Sequence, residues 1–226
     1  MSVRNVSEDT LRLAPRTLAW DVDSLGVNVL SSPTNLDGGE PATWIHGVPD
    51  VLELPPNRNT VTRLRISPPE TTNPREYFVA LLYDDLGRPT PPAARLSRSQ
   101  LLCLQAGNDL SAKIVLDDFR VEVEHPLLRV YCRISNSGQR RLLCWPKVAV
   151  SIENVLGDWN SIGRDVRLPS GDSTLLLPGH ERVYRHEIAG LPAGSYRISL
   201  VAEFDDDSVK PLIRTRYFEV PAESAN

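Results

Sequence analysis

Three cysteines in a chain of 226 residues cannot all pair with one another, so a disulfide scaffold is excluded. An excess of positive charge is also missing. Lys and Arg total 25 against 29 Asp and Glu, for a net charge of -4, and a general nucleic-acid binder needs a basic face to displace counterions. No apolar run approaches the ~20 residues of a membrane-spanning helix. Residues 1–10 lack an apolar signal segment. If Met1 is native, this places the protein in the cytoplasm or at the periphery of a membrane complex. If a leader was removed, it belongs in the periplasm or at the cell surface. The sequon Asn5-Val6-Ser7 carries little weight without evidence of secretion.

Catalytic signatures are missing too. There is no Gly-x-Ser-x-Gly elbow, no phosphate-cradling glycine loop and no Cys-x-x-Cys pair. The histidines His46, His125, His180 and His186 lack the spacing of helical metal ligands, and His180 and His186 flank a predicted strand. Asp205-Asp206-Asp207 after Glu203 lacks the spacing of a calcium loop and reads as a solvated turn. Asp84-Asp85 and Asp117-Asp118 read as turn or edge charges that discourage sheet aggregation. No catalytic residue, metal ligand or cofactor site is therefore assigned, and the chain reads as a non-enzyme.

What is present is proline, 19 residues, and period-two alternation. In residues 128–135, Leu128, Val130, Cys132 and Ile134 share one face. Val148, Val150 and Ile152 do the same, as do Tyr196, Ile198, Leu200, Ala202 and Phe204. Turn clusters separate them at 136–138, 169–172, 178–179 and 192–194. In the first half, strands are expected at 10–21, 27–31, 43–48, 51–54, 60–67, 76–84 and 96–105. The run 77–83 is apolar on both faces, which suits a central strand or one covered on its outer face. A short helix is the rival reading of 97–105. The expected fold is all-β: two tandem immunoglobulin-like sandwiches, residues 1–107 and 108–226, with a rival linker at 88–92. Cys132 and Cys144 share the inward phase and read as buried thiols, with a pair between neighbouring strands as the alternative. Leu191-Pro192-Ala193-Gly194-Ser195-Tyr196 reads as a tyrosine corner, whose phenol bonds back to nearby backbone.

One stretch points to a family. Residues 48–57 (VPDVLELPPN) precede 61–66 (VTRLRI), and 73–81 (NPREYFVAL) follow. This order resembles the N-terminal domain of periplasmic pilus-assembly chaperones, in which a Leu-x-Pro-Gly turn leads to a Val-Arg-Ile strand and a later Pro-x-Asp-Arg-Glu precedes a core strand. Residues 11–21 resemble the family's opening strand. The resemblance implies two immunoglobulin-like domains. It also implies a basic pair that anchors a client's terminal carboxylate, and an edge strand that completes the client's sandwich by β-strand addition. The cleft arginine falls at Thr17, beside Arg16. The cleft lysine falls within 106–109, and the next lysine is Lys113. The donor strand falls at 96–105, with Leu102 and Leu104 in phase and Leu101 and Cys103 opposite.

Trp20 and Trp44 are expected to fill the first sandwich. Trp159, in a predicted loop, either anchors a partner or folds back over a core end. Arg140-Arg141 beside Leu142-Leu143 makes a second contact patch. The candidate partner-binding residues are thus Arg16, Leu102, Leu104, Arg140, Arg141 and Trp159. The expected function is that of a structural subunit docking on a larger, possibly membrane or cell-surface, protein assembly. A pilus-type chaperone and a surface adhesin or carbohydrate-binding module are the alternatives.

Overall fold

A computed structural model describes residues 1–31, 41–87, 98–124, 127–163, 165–168 and 174–222. The rival linker at 88–92, the start of the donor strand and His125 lie outside the described residues. The chain forms two compact units, Met1–Asp21 with Val29–Asp109, and Val22–Asn28 with Leu110–Asn226. Thus a short segment from the first half of the sequence belongs to the second unit.

The first unit contains β1 (Ser2–Arg4), β2 (Leu11–Val22), β3 (Asn28–Ser31), a 3-10 turn (Pro41–Trp44), β4 (Ile45–His46), β5 (Leu52–Leu54), β6 (Asn59–Val61), β7 (Arg65–Ile66), β8 (Arg75–Asp85) and β9 (Arg98–Ala106). Its main sheet runs β3-β2-β8-β9, with β5 also pairing β2; β1 pairs β6, and β4 pairs β7. Every residue of β8 from Tyr77 to Tyr83 is buried, as its two-faced apolar pattern requires. Tyr77, Val79 and Leu104 join Trp44 in one core cluster, and Leu81 and Tyr83 join Leu52 and Leu54 in another. Trp44 meets Tyr77 edge-on at 4.7 Å, while Trp20 meets Phe78 on the other face of β8 at 5.7 Å.

Three expectations need correction here. Residues 11–21 are not an opening strand: β1 precedes them, and they lie in β2, which is interior to its sheet and bonded to β8 from Leu13↔Asp85 to Ala19↔Val79. The resemblance misplaced them because β2 is the first long alternating run, whereas β1 is too short to show a period. The strand expected at 43–48 begins as a 3-10 turn, because Pro41 fixes φ and lacks the N–H a strand would use. The single strand expected at 60–67 is two short ones in different pairs.

The second unit contains β10 (Ile114–Glu124), β11 (Leu127–Asn136), β12 (Leu142–Glu153), β13 (Trp159–Ser161), β14 (Val166–Arg167), β15 (Leu175–Leu176), β16 (His180–Ala189), β17 (Gly194–Phe204) and β18 (Leu212–Val220). One layer is β10-β11-β16, the other β13-β12-β17-β18 with β14 and β15 on β12. The alternation read from the sequence is the burial observed. Val130, Cys132 and Ile134 face Val148, Ile198, Leu200 and Ala202 in one core, all almost fully buried. Each such aliphatic side chain contributes about 1.5–3 kcal/mol of transfer free energy. The tyrosine corner is present: the Tyr196 hydroxyl donates to the Pro192 carbonyl at 2.6 Å. The chain therefore consists of two immunoglobulin-like sandwiches. They differ at the outer edge. In the second, β11 has β10 on its outer side; in the first, β1 pairs β6 alone among the described residues.

A buried asparagine organises the turn after the second strand of the second unit and after the first strand of the first. Asn5, fully buried, donates to Asp9 O and Leu54 O at 2.8 Å and accepts from Ser7 N. Asn136 donates to Arg140 O and Leu176 O and accepts from Gly138 N. Both amide hydrogens of Asn5 are committed, so the folded sequon offers no acceptor for a glycan. Gly138 is required by space. A Cβ there would lie 2.4 Å from Lys113 N and 2.6 Å from Ser111 O, both backbone atoms.

The Val22–Asn28 segment is held by Arg182, which is only 1% exposed. Its Nη1 donates to Asp23 O and its Nε to Leu175 O at 2.8 Å, and Val183 N donates to Ser24 O at 2.7 Å. His180 and His186 lie within β16, not beside it. Six residues apart on one strand, they are separated by roughly 20 Å. His180 Nδ1 donates to Pro178 O at 2.9 Å.

Candidate protein-binding surfaces

The edge of the first unit's main sheet is β9, which has β8 on one side and no described strand on the other. Its register, Tyr77↔Leu104 and Val79↔Leu102, turns Leu102 and Leu104 towards the core. Leu104 is 8% exposed and Leu102 packs partly buried against the same cluster. The outward row is Leu101, Cys103 and Gln105, all exposed. The side chains at β9 that a partner meets from outside are therefore this row, while the free backbone groups lie along the edge.

Arg16 on β2 projects outward and forms an ion pair with Asp84 on β8 at 3.0 Å. A carboxylate of its own unit thus already occupies its guanidinium. Arg140 is drawn to Asp206, and its backbone carbonyl is fixed by Asn136. Asp206 also accepts from Ser208 N and Oγ, and Asp205 accepts from Leu143 N at 2.8 Å. The acidic run therefore stitches the β17–β18 hairpin to the start of β12. Arg141 is exposed.

Trp159 is not in a loop; it opens β13, paired with Glu153 of β12. Asn154 holds the preceding turn by accepting from Leu156 N and Asp158 N at 2.9 Å, and Gly157 takes the positive φ of 84°. The indole meets Tyr217 of β18 at 5.5 Å, and the Arg197 guanidinium stands 5.2 Å from the indole centre. Since β12 and β17 lie between β13 and β18, the two rings lean towards each other across the sheet face. A cavity of about 280 Å³ adjoins them, lined also by Glu153, Ser195 and Glu219. Tyr217, Arg197 and the two glutamates were not singled out from the sequence. Their convergence depends on the registers Arg197↔Tyr217 and Ser195↔Glu219, which one chain's spacing does not disclose.

Burial pushes the Cys132 thiol well up and the Cys144 thiol up to about 12. Both remain free thiols, as does exposed Cys103. Burial likewise raises the Tyr184 phenol, beside Cys144, and no partner meets its hydroxyl at hydrogen-bond geometry. Among the described residues no helix is long and apolar enough to cross a membrane.

No protein-family model matches the chain, and no curated protein matches it. Solved structures do. The class 5 fimbriae chaperone CfaA matches at 11% identity over 97% of this chain and 90% of its own, with a TM-score of 0.49. A chain of the CsuC–CsuE chaperone–tip adhesion subunit complex of Acinetobacter baumannii matches at 16% identity over 95% and 88%, with a TM-score of 0.43. A chain of the Salmonella enterica SafA pilin–SafB chaperone complex matches at 13% identity over 97% and 87%, with a TM-score of 0.40. The protein is one of two immunoglobulin-like sandwiches with a likeness to fimbrial chaperones. Its fold rests on the strand pairing described above.

Proposed function

We propose that the protein is a non-enzymatic, pilus-chaperone-like binder that takes an extended segment of a protein client along β9. The observation that carries this reading is the free β9 edge. It is a nine-residue strand, anchored by Leu102 and Leu104 to its own core, with its outer side unpaired among the described residues. Strand addition at such an edge draws affinity from backbone hydrogen bonds and selectivity from alternate side chains. The sequence resemblance supports the same reading, since its three motifs fall on β5, β6 with β7, and β8. Two of the matched structures hold a chaperone together with a tip adhesion subunit or a pilin, and a subunit of that kind is the class of client proposed. The corresponding compartment is the periplasm. A permanent place in a larger assembly is the second reading, favoured by the surface pair of half-buried Trp159 and exposed Tyr217.

The test is hydrogen–deuterium exchange on the protein purified alone and with its co-purifying client. Amides of 98–106 are expected to slow in the complex. A benzophenone attached to Cys103 is expected to cross-link the client. Unchanged exchange in β9 with protection elsewhere refutes strand addition at this edge.

A further inference from the structure

We propose that the slot beside Trp159 and Tyr217 receives a lysine or arginine side chain of a protein partner. This contact is on the second unit and independent of β9. The slot has an aromatic wall, Trp159 and Tyr217, and a polar wall, Glu153, Ser195 and Glu219. Row by row across the sheet, Glu153 neighbours Trp159 while Ser195 pairs Glu219. Glu219 accepts only from Ser195 Oγ, at 3.1 Å, and Glu153 has no ion-pair partner among the described residues. The nearby cation, Arg197, is engaged with the indole and pairs with neither carboxylate. Two carboxylates against one guanidinium leave the slot net negative.

Aromatic faces and unpaired carboxylates favour the same guest, a cation on an apolar stem. Lysine and arginine carry both features in one side chain. The surroundings favour a protein as their source. Val155 and Leu156, at the tip of the adjoining hairpin, are 102% and 81% exposed, a pair of apolar contacts that a folded partner would cover. A neutral glycan would use the aromatic rings but leave the charge of Glu153 and Glu219 without purpose.

The test uses the whole chain, labelled with nitrogen-15, and the Trp159 indole N–H signal. Nα-acetyl-lysine methylamide is titrated at fixed ionic strength, with Nα-acetyl-norleucine methylamide and cellopentaose as comparisons. Lysine is expected to shift the signal saturably and norleucine not to. Glu153→Gln and Glu219→Gln are each expected to weaken binding about two- to fivefold, the range of exposed charge pairs. Tyr217→Ala is expected to do so by a similar factor, about two- to fivefold. Added salt weakens lysine binding further. All three positions are exposed, and unchanged amide spectra elsewhere report an intact fold. An equal shift with norleucine, no shift with lysine, or saturation by cellopentaose alone overturns the proposal. None of these outcomes bears on exchange at β9.

Discussion

Two buried tyrosines of the second unit are predicted to respond oppositely to loss of their hydroxyl. Tyr196 and Tyr184 are both 0% exposed. The Tyr196 hydroxyl makes a 2.6 Å bond to Pro192 O; that of Tyr184 has no partner at hydrogen-bond geometry, with only the Cys144 thiol alongside. Removing a bonded hydroxyl from a buried site costs about 1–1.5 kcal/mol here, towards the low end because Pro192 is exposed and its carbonyl regains water. For a unit of this size that lowers Tm by roughly 3–8 °C. Removing an unsatisfied buried hydroxyl relieves a desolvation cost, so Tyr184→Phe is expected to change stability by less than about 0.5 kcal/mol, or to stabilise. Since two units unfold, the readout must be local. Hydrogen exchange of β11 and β17 peptides across a urea series reports the second unit alone. Equal losses in both variants, or a larger loss in Tyr184→Phe, would refute the reasoning.

Other outcomes follow from the same structure. Arg182→Met removes donors to Asp23 O and Leu175 O, and is expected to destabilise the second unit by about 1–3 kcal/mol. Amides of 22–28 should then exchange faster than those of β2. Native protein is expected to show one thiol reactive towards a disulfide reagent at pH 8, Cys103, and three after denaturation. The raised Cys144 pKa favours the protonated thiol in the folded state. Its stabilisation is complete below the ordinary thiol value near 9 and is lost as pH climbs towards 12. Urea midpoints should fall across that window, and less steeply in Cys144→Ala. Gly138→Ala forces a Cβ into backbone at 2.4 Å and is expected to cost more than the ~1 kcal/mol of a typical point substitution.

The long half-buried strands were legible because burial follows a period of two. β11, β12 and β17 carry alternating Leu, Val, Ile and Cys, and the corner motif fixed the entry to β17. β18 escaped notice because Arg214 and Arg216 occupy its inward phase. It is an edge strand, and Arg216 reaches across the open side of the sandwich to Phe119 O at 3.4 Å. There charge replaces the apolar residue that periodicity seeks. β1 is too short to show a period, and the buried Asn5 just after it looked like part of a modification sequon. At the candidate surfaces, residue type identified Trp159, but its neighbours were fixed by register. Likewise Leu102 and Leu104 were found by phase, yet only the pairing with β8 tells which face of β9 is covered.

The seven-residue excursion at Val22–Asn28 has a practical corollary. A fragment cut at 107/108, the boundary expected from the sequence, would sever the second sandwich from part of itself. Val183 N and Arg182 Nη1 would lose their acceptors Ser24 O and Asp23 O together. Such a fragment should recover its lost firmness when offered a synthetic peptide spanning 20–30, so that the two pieces behave as one module reassembled from a split gene.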